Sequence, residues 1–316
     1  MGGSKSSSAS ITNSPSTSHS ITKDKYRGAL LGLACGDALG TSVEFKPRGT
    51  FEPLTDIVGG GPFGLKPGQW TDDTSMALCL AESLIANNGM KLEDQLERYL
   101  GWWKHSDNSV TGDCFDIGTT TSISLAVFES TGETYAGSED PSTAGNGSIM
   151  RLAPVPLFYA QADTETLLEN CELSSVTTHR APAALHACRL FGLLIRNALS
   201  SQTKDAIFAH NDAFSDAPTS IQQIASRTYL DIRGTGYVVE SLEAALWAFE
   251  TTSSFEEGAL KAVNLGDNAD TTGAVFGQIA GAFYGEKEIP KHWLKKLAWR
   301  EKITRIADQL SHLANR

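Results

Sequence analysis

Apolar residues recur at intervals of three and four along most of this chain, and few stretches alternate with period two. That pattern predicts helices and scarce strands. The expected helices begin at about Lys23 and continue at 74–87, 92–105, 119–128, 164–175, 183–199, 221–227, 239–251, 255–263, 272–284 and 291–314. In the last of these, Leu294, Leu297, Ile303, Ile306, Leu310 and Leu313 share one face. Residues 51–68 are rich in glycine and proline and read as a loop. Two helices carry an unusual stripe: Gly28, Gly32, Gly36 and Gly40 in the first, Gly273, Gly277, Gly281 and Gly285 near the end. A spacing of four puts each quartet on one face, where missing side chains let another backbone approach closely. Glycine costs about 1 kcal/mol relative to alanine inside a helix, so tight packing must offset it.

Polar clusters sit at two helix starts. Thr71-Asp72-Asp73-Thr74 opens the apolar run 75–80, and Asn268-Ala269-Asp270-Thr271-Thr272 precedes the second glycine stripe. Asp, Asn and Thr are preferred N-cap residues, and acidic groups in a first turn suit the helix dipole. Capping, however, needs one acceptor, and each cluster offers several oxygens. Adjacent Asp72 and Asp73 would repel each other without a nearby cation. Oxygen donors without His or Cys favour a hard ion, Mg²⁺ or Mn²⁺ before Zn²⁺.

Composition narrows the class. A chain of 316 residues can bury a substantial core, and no linker divides it, so one compact all-α domain is expected over 23–316. Nine serines in the first twenty residues predict a disordered tail, assigned to 1–22. A net charge of −11 argues against a general nucleic-acid or anionic-membrane surface. No apolar run reaches the roughly 20 residues that span a membrane, and no secretory signal opens the chain. Five cysteines, odd in number and without CxxC spacing, read as core residues in a reducing, cytoplasmic compartment. A monomer is the default expectation.

Six ordered motifs carry a family resemblance: Gly28–Gly40 with Asp37 inside it, Trp70–Ser75, Cys114–Gly118, Gly145–Arg151, Gly234–Val239 and Gly266–Gly273. Together they resemble the ADP-ribosylglycohydrolases, over nearly everything from Tyr26 to Gly285. The resemblance implies an all-α helical bundle around a central pair of Mg²⁺ or Mn²⁺ ions. It matches Thr71, Asp72 and Asp73 to one set of metal ligands and Asp270 and Thr271 to the other. Where the family often has a carboxylate this chain has Asn268, which keeps an amide oxygen but loses a charge; neighbouring Asp267 is a loop residue able to restore it.

The same resemblance gives Glu44 an acid–base or metal-gating role, against its plain reading as a solvated loop glutamate. Asp72, Asp73 and Asp270 join it as the catalytic set. The loop holding Asn146, Gly147, Ser148 and Met150 resembles a diphosphate cradle, since glycine-rich backbone exposes N–H groups; otherwise it is a turn, with Arg151 a structural ion-pair partner. Asp116 and Gly118 would line the ribose, although Asp116 could equally cap the helix that follows. Gly236 and Tyr237 would pack beside adenosine. His179 would lie near bound ADP-ribose, where its alternative is a cap or a satisfied core histidine.

The implied activity is metal-dependent hydrolysis of the bond between ADP-ribose and an acceptor, with ADP-ribosylated arginine on protein favoured. Serine-linked ADP-ribose and O-acetyl-ADP-ribose are rivals within the same chemistry. A non-catalytic ADP-ribose-binding or crystallin-like relative is the rival outside it, because fold alone does not establish function.

Overall fold

The computed structural model describes residues 21–209 and 218–316. The predicted tail therefore lies outside the described residues, apart from Ile21 and Thr22. Among the described residues every regular element is helical, and pairing of extended backbone is limited to three isolated bridges. Helices of nine or more residues are α1 (Lys23–Gly40), α2 (Asp72–Asn87), α3 (Leu92–His105), α4 (Thr119–Thr131) and α5 (Thr164–Val176). They continue with α6 (Pro182–Ser200), α7 (Val238–Glu250), α8 (Phe255–Val263), α9 (Ala269–Tyr284) and α10 (Arg300–Ala314). No described helix is long and apolar enough to cross a membrane.

The glycine stripes account for the centre of the fold. They run antiparallel: Gly28 faces Gly281, Gly32 faces Gly277, and Gly36 faces Gly273, while Gly40 meets the backbone of Ala269. A methyl at Gly36 would lie 1.9 Å from the Gly273 carbonyl oxygen, so α1 and α9 touch backbone to backbone. Both helices are buried along almost their whole length. The other helices pack apolar faces around this pair, and one buried cluster extends from Tyr26 to Leu310. A smaller cluster of Met76, Cys79, Leu96, Tyr99, Trp102, Leu125 and Met150 joins α2, α3 and α4 to the residue 145–151 loop. All five cysteines are free, four of them buried.

Two predicted helices differ from the observed ones. The 291–314 helix is broken into Lys291–Lys296 and Arg300–Ala314, with Trp299 left-handed at φ 54°. The break serves a tertiary contact. Ala298 donates to the Gly68 carbonyl at 2.9 Å, and the Trp299 ring packs edge-on against buried Trp70, centroids 5.3 Å apart. Only Thr219–Gln222 and a short 3₁₀ turn form where 221–227 was expected. Helices α2 and α9 begin earlier than predicted, at Asp72 and Ala269, which puts their acidic residues inside the first turn.

Candidate metal centre

Antiparallel packing brings three helix ends together: the C-terminus of α1 with the turn to Glu44, the N-terminus of α9, and the N-terminus of α2. Asp37, one turn before the end of α1, is the hinge of this arrangement. It accepts the Thr71 N–H at 2.8 Å and the Thr74 N–H at 3.1 Å, and both threonine hydroxyls at 3.0 and 2.6 Å. Asp37 thus caps α2 from a distant part of the chain, and Asp72 and Asp73 are released from capping. Sequence reasoning gave Asp37 no role. Its signal was a lone carboxylate inside a Gly/Ala/Leu helix, which needs a partner when buried.

One oxygen each from Asp37, Asp73 and Asp270 lies within 4.8 Å of the others. The Thr71 hydroxyl faces all three, at 3.0 Å from Asp37, 3.0 Å from Asp73 and 3.5 Å from Asp270. One hydroxyl proton cannot serve three carboxylates. Thr271 adds its hydroxyl 3.5 Å from Asp73, while its N–H donates to Asp270 at 2.6 Å. Asp73 Oδ1 is buried and has no hydrogen-bond partner among the described residues.

Burial raises the pKa of every carboxyl in the group. Asp37 is pushed up to about 6, Glu44 to about 7 and Asp116 to about 8. Asp72, Asp73 and Asp270 also rise well above the usual carboxylate range, by burial first and then by repulsion from one another. No ion pair among the described residues involves any of the six. Uncompensated buried carboxylates are costly unless paired or bound to metal. An all-oxygen donor set with an unpartnered oxygen fits a hard divalent cation.

Asn268 joins this group to the rest of the site. Its amide nitrogen donates to Glu44 at 2.7 Å, and its amide oxygen accepts from Asn146 at 2.6 Å. Glu44 also accepts the Asp270 N–H at 3.2 Å and is buried, so it is no solvated loop residue. Asp267 keeps its backbone paired with Phe45 and Lys46, at 2.7 and 2.9 Å. Asp116 is left-handed at φ 61° and is turned toward Asp270. It does not cap α4, whose N-cap is Gly118 without a side-chain cap bond.

The residue 145–151 loop and the residue 234–239 segment hold each other. Gly145 bridges to Tyr237, Asn146 donates to the Gly236 carbonyl at 3.0 Å, and Val238 donates to Ala144 at 3.1 Å. A side chain at Gly236 would meet only open space, and Tyr237 is exposed. The Ser148 hydroxyl and Met150 side chain instead face inward: Cys188 bonds the first at 3.3 Å, and the second packs in the smaller buried cluster. His179 underpins the loop. A methyl at Gly147 would lie 2.6 Å from its ring, and its Nδ1 pairs with the Thr178 hydroxyl at 2.8 Å. Burial and the Arg151 charge lower its pKa to about 3, so it stays neutral. Among the described residues Arg151 makes no ion pair. Its buried guanidinium donates to the Gly147 carbonyl at 2.8 Å and to Thr178 at 2.7 Å, and lies 4.7 Å from the Tyr99 ring centroid.

The chain is similar to known proteins over nearly its whole length. The sequence model described as ADP-ribosylglycohydrolase matches residues 18–316. The chain is 42% identical over 296 residues to the "ADP-ribosylarginine hydrolase Tri1" of Serratia proteamaculans, covering 92% of this chain and 80% of that protein. It is 33% identical to the "ADP-ribosyl-[dinitrogen reductase] glycohydrolase" of Rhodospirillum rubrum, covering 92% and 97% of the two. A solved structure titled "ADP-ribosylglycohydrolase-related protein complex" superposes with a TM-score of 0.81 at 41% identity, covering 92% of this chain and 98% of that one.

Proposed function

This chain belongs to the ADP-ribosylglycohydrolase family, and from that premise we propose that it is a metal-dependent hydrolase of ADP-ribosylated arginine on protein. The observation that carries the metal dependence is the buried oxygen of Asp73, unpartnered among the described residues, in a cluster of carboxylates that no described basic side chain pairs with. Support for the arginine linkage comes from two relatives at 42% identity, from Serratia proteamaculans and Pseudomonas putida, both named as ADP-ribosylarginine hydrolases.

On this reading residues 23–316 act as one domain, and Thr71, Asp72, Asp73, Asp270 and Thr271 hold two Mg²⁺ or Mn²⁺ ions. Asn268 joins them only if its amide turns its oxygen away from Asn146. When bound, the ions supply charge to hold ribose hydroxyls and a water of lowered pKa. The chain does the remainder. Asn146, Gly147 and Gly236 present the cradle for the diphosphate, with His179 and Arg151 fixing its shape from beneath. Gly118 and Tyr237 border the nucleoside. Glu44 and Asp116 bracket Asp270, and Glu44 would take the proton of the attacking water or give one to the leaving guanidine nitrogen.

The test is release of ADP-ribose from matched arginine-linked and serine-linked peptides, with Mg²⁺, with Mn²⁺ and with chelator, beside Asp72→Ala and Asp270→Ala. Metal-dependent release from the arginine peptide, lost in both variants, is expected. Release confined to the serine peptide would move the linkage. Release that survives chelation would overturn the metal centre.

A further inference from the structure

Three phenylalanines stand around the mouth of this site without belonging to either buried cluster. Phe45 directly follows Glu44 and is 63% exposed. Phe115 directly precedes Asp116. Phe63 lies between them, its ring centroid 6.4 Å from Phe45 and 5.2 Å from Phe115. Phe63 thus packs on both other rings, which are chain neighbours of the two carboxylates that bracket Asp270.

The backbone is built to hold them there. Phe45 is left-handed at φ 63°, uncommon for a bulky residue, and is tied down by donating to the Asp267 carbonyl at 2.7 Å. Asp116, next to Phe115, is left-handed as well. The turn carrying Phe63 is pressed against the segment leading to Glu44, since any side chain at Gly61 would run into the Thr41 carbonyl. Many aromatic rings of this protein carry a lysine or arginine over their face, yet none of those cations sits on Phe45, Phe63 or Phe115. Phe45 is the exposed ring of the three, and Phe63 and Phe115 are half-buried.

We propose that Phe45, Phe63 and Phe115 form an aromatic rim that stacks on the acceptor guanidinium of ADP-ribosylated arginine and sets the preference for that linkage. The inference rests on the arginine-linked reading above and deepens it. A guanidinium is planar, weakly hydrated and cationic, so it matches both an aromatic face and a nearby carboxylate, whereas a serine acceptor offers neither match.

Phe63 is the residue to vary, because it joins the other two rings and is not adjacent to a proposed site residue. The experiment compares wild type, Phe63→Leu and Phe63→Tyr. It measures kcat and KM for an arginine-linked ADP-ribosyl peptide, Kd for free ADP-ribose, and Tm as a check on folding. Phe63→Leu keeps apolar bulk but removes the π face, and is expected to raise KM about ten-fold with kcat and the ADP-ribose Kd little changed. Phe63→Tyr should restore the wild-type KM. An unchanged KM in Phe63→Leu, or a Kd for ADP-ribose that rises as much as KM, overturns the rim. If wild type releases nothing from the arginine peptide, the linkage reading itself fails and takes the rim's role with it.

Discussion

Replacing Gly277 with alanine tests whether the glycine stripes hold the site together. In an ordinary helix interior that change stabilises by roughly 1 kcal/mol. Here the new methyl would lie 2.0 Å from the Gly32 carbonyl oxygen and 2.3 Å from its carbon. A carbon and a carbonyl oxygen approach no closer than about 3.3 Å, so the helices must part by roughly 1 Å. The obstacle is backbone, which cannot swing aside as a side chain would. Overpacking of this kind costs about 1–3 kcal/mol, enough to reverse the intrinsic gain. Tm should therefore fall, by about 2–4 °C for each kcal/mol lost.

The separation has a second consequence, because α1 carries Asp37 and leads to Glu44 while α9 carries Asp270. Misplacing such groups by about 1 Å can cost a hundred-fold in rate. The clash at Gly273, one turn from the site, should then weaken Mn²⁺ binding more than the clash at Gly281, three turns away. Thermal denaturation with and without Mn²⁺, on alanine variants at 273, 277 and 281, reads both effects. A Tm increase in Gly277→Ala would refute the close-packing argument.

Further outcomes follow from the site. Asp73→Asn removes a carboxyl whose ionisation is disfavoured by burial and by its acidic neighbours, so Tm in chelator should hold or rise. The stabilisation that wild type gains from metal, about 2.7 kcal/mol at a hundred times Kd, should vanish in the same variant; a retained Mn²⁺-dependent Tm shift would remove Asp73 from the ligand set. Asn268→Asp loses the donor that now bonds Glu44 at 2.7 Å, and should cost about 1–3 kcal/mol in chelator while tightening Mn²⁺ binding. Weaker Mn²⁺ binding, followed by titration calorimetry, would contradict that. His179 titrates near 3 when folded, below its ordinary value of about 6.5, so the unfolded chain takes up the proton first as pH falls. Its stability contribution is complete above about pH 6.5 and is lost toward pH 3, by about 2 kcal/mol at pH 5. The loss between pH 7 and 5 should be larger in wild type than in His179→Gln by that amount. An equal loss in wild type and His179→Gln would show that the ring is not buried neutral.

How much of this was legible in the sequence depends on whether the cause was local. A period of four in glycine is a local pattern, and it foretold the close approach of α1 and α9. The two oxygen-rich helix starts were legible for the same reason. The break at Leu297–Trp299 was not, because apolar spacing continues through it from Leu294 to Ile303, and the cause is contact with Gly68 and Trp70. The 145–151 motif located its loop correctly but could not say which atoms face outward; Ser148 and Met150 turn inward because Cys188 and the Met76–Tyr99 cluster take them.

Asp37 makes the distinction clearest. Within α1 it is one polar residue among glycine, alanine and leucine, and no spacing around it marks a ligand. Only when α2 docks do its two oxygens become the cap for Thr71 and Thr74. That cap frees Asp72 and Asp73 from the task their position suggested. A run of acidic residues at a helix start therefore reads as a metal site only once another residue is found to do the capping. In this chain that residue lies 34 positions upstream of Thr71, in the helix that the glycines press against Asp270.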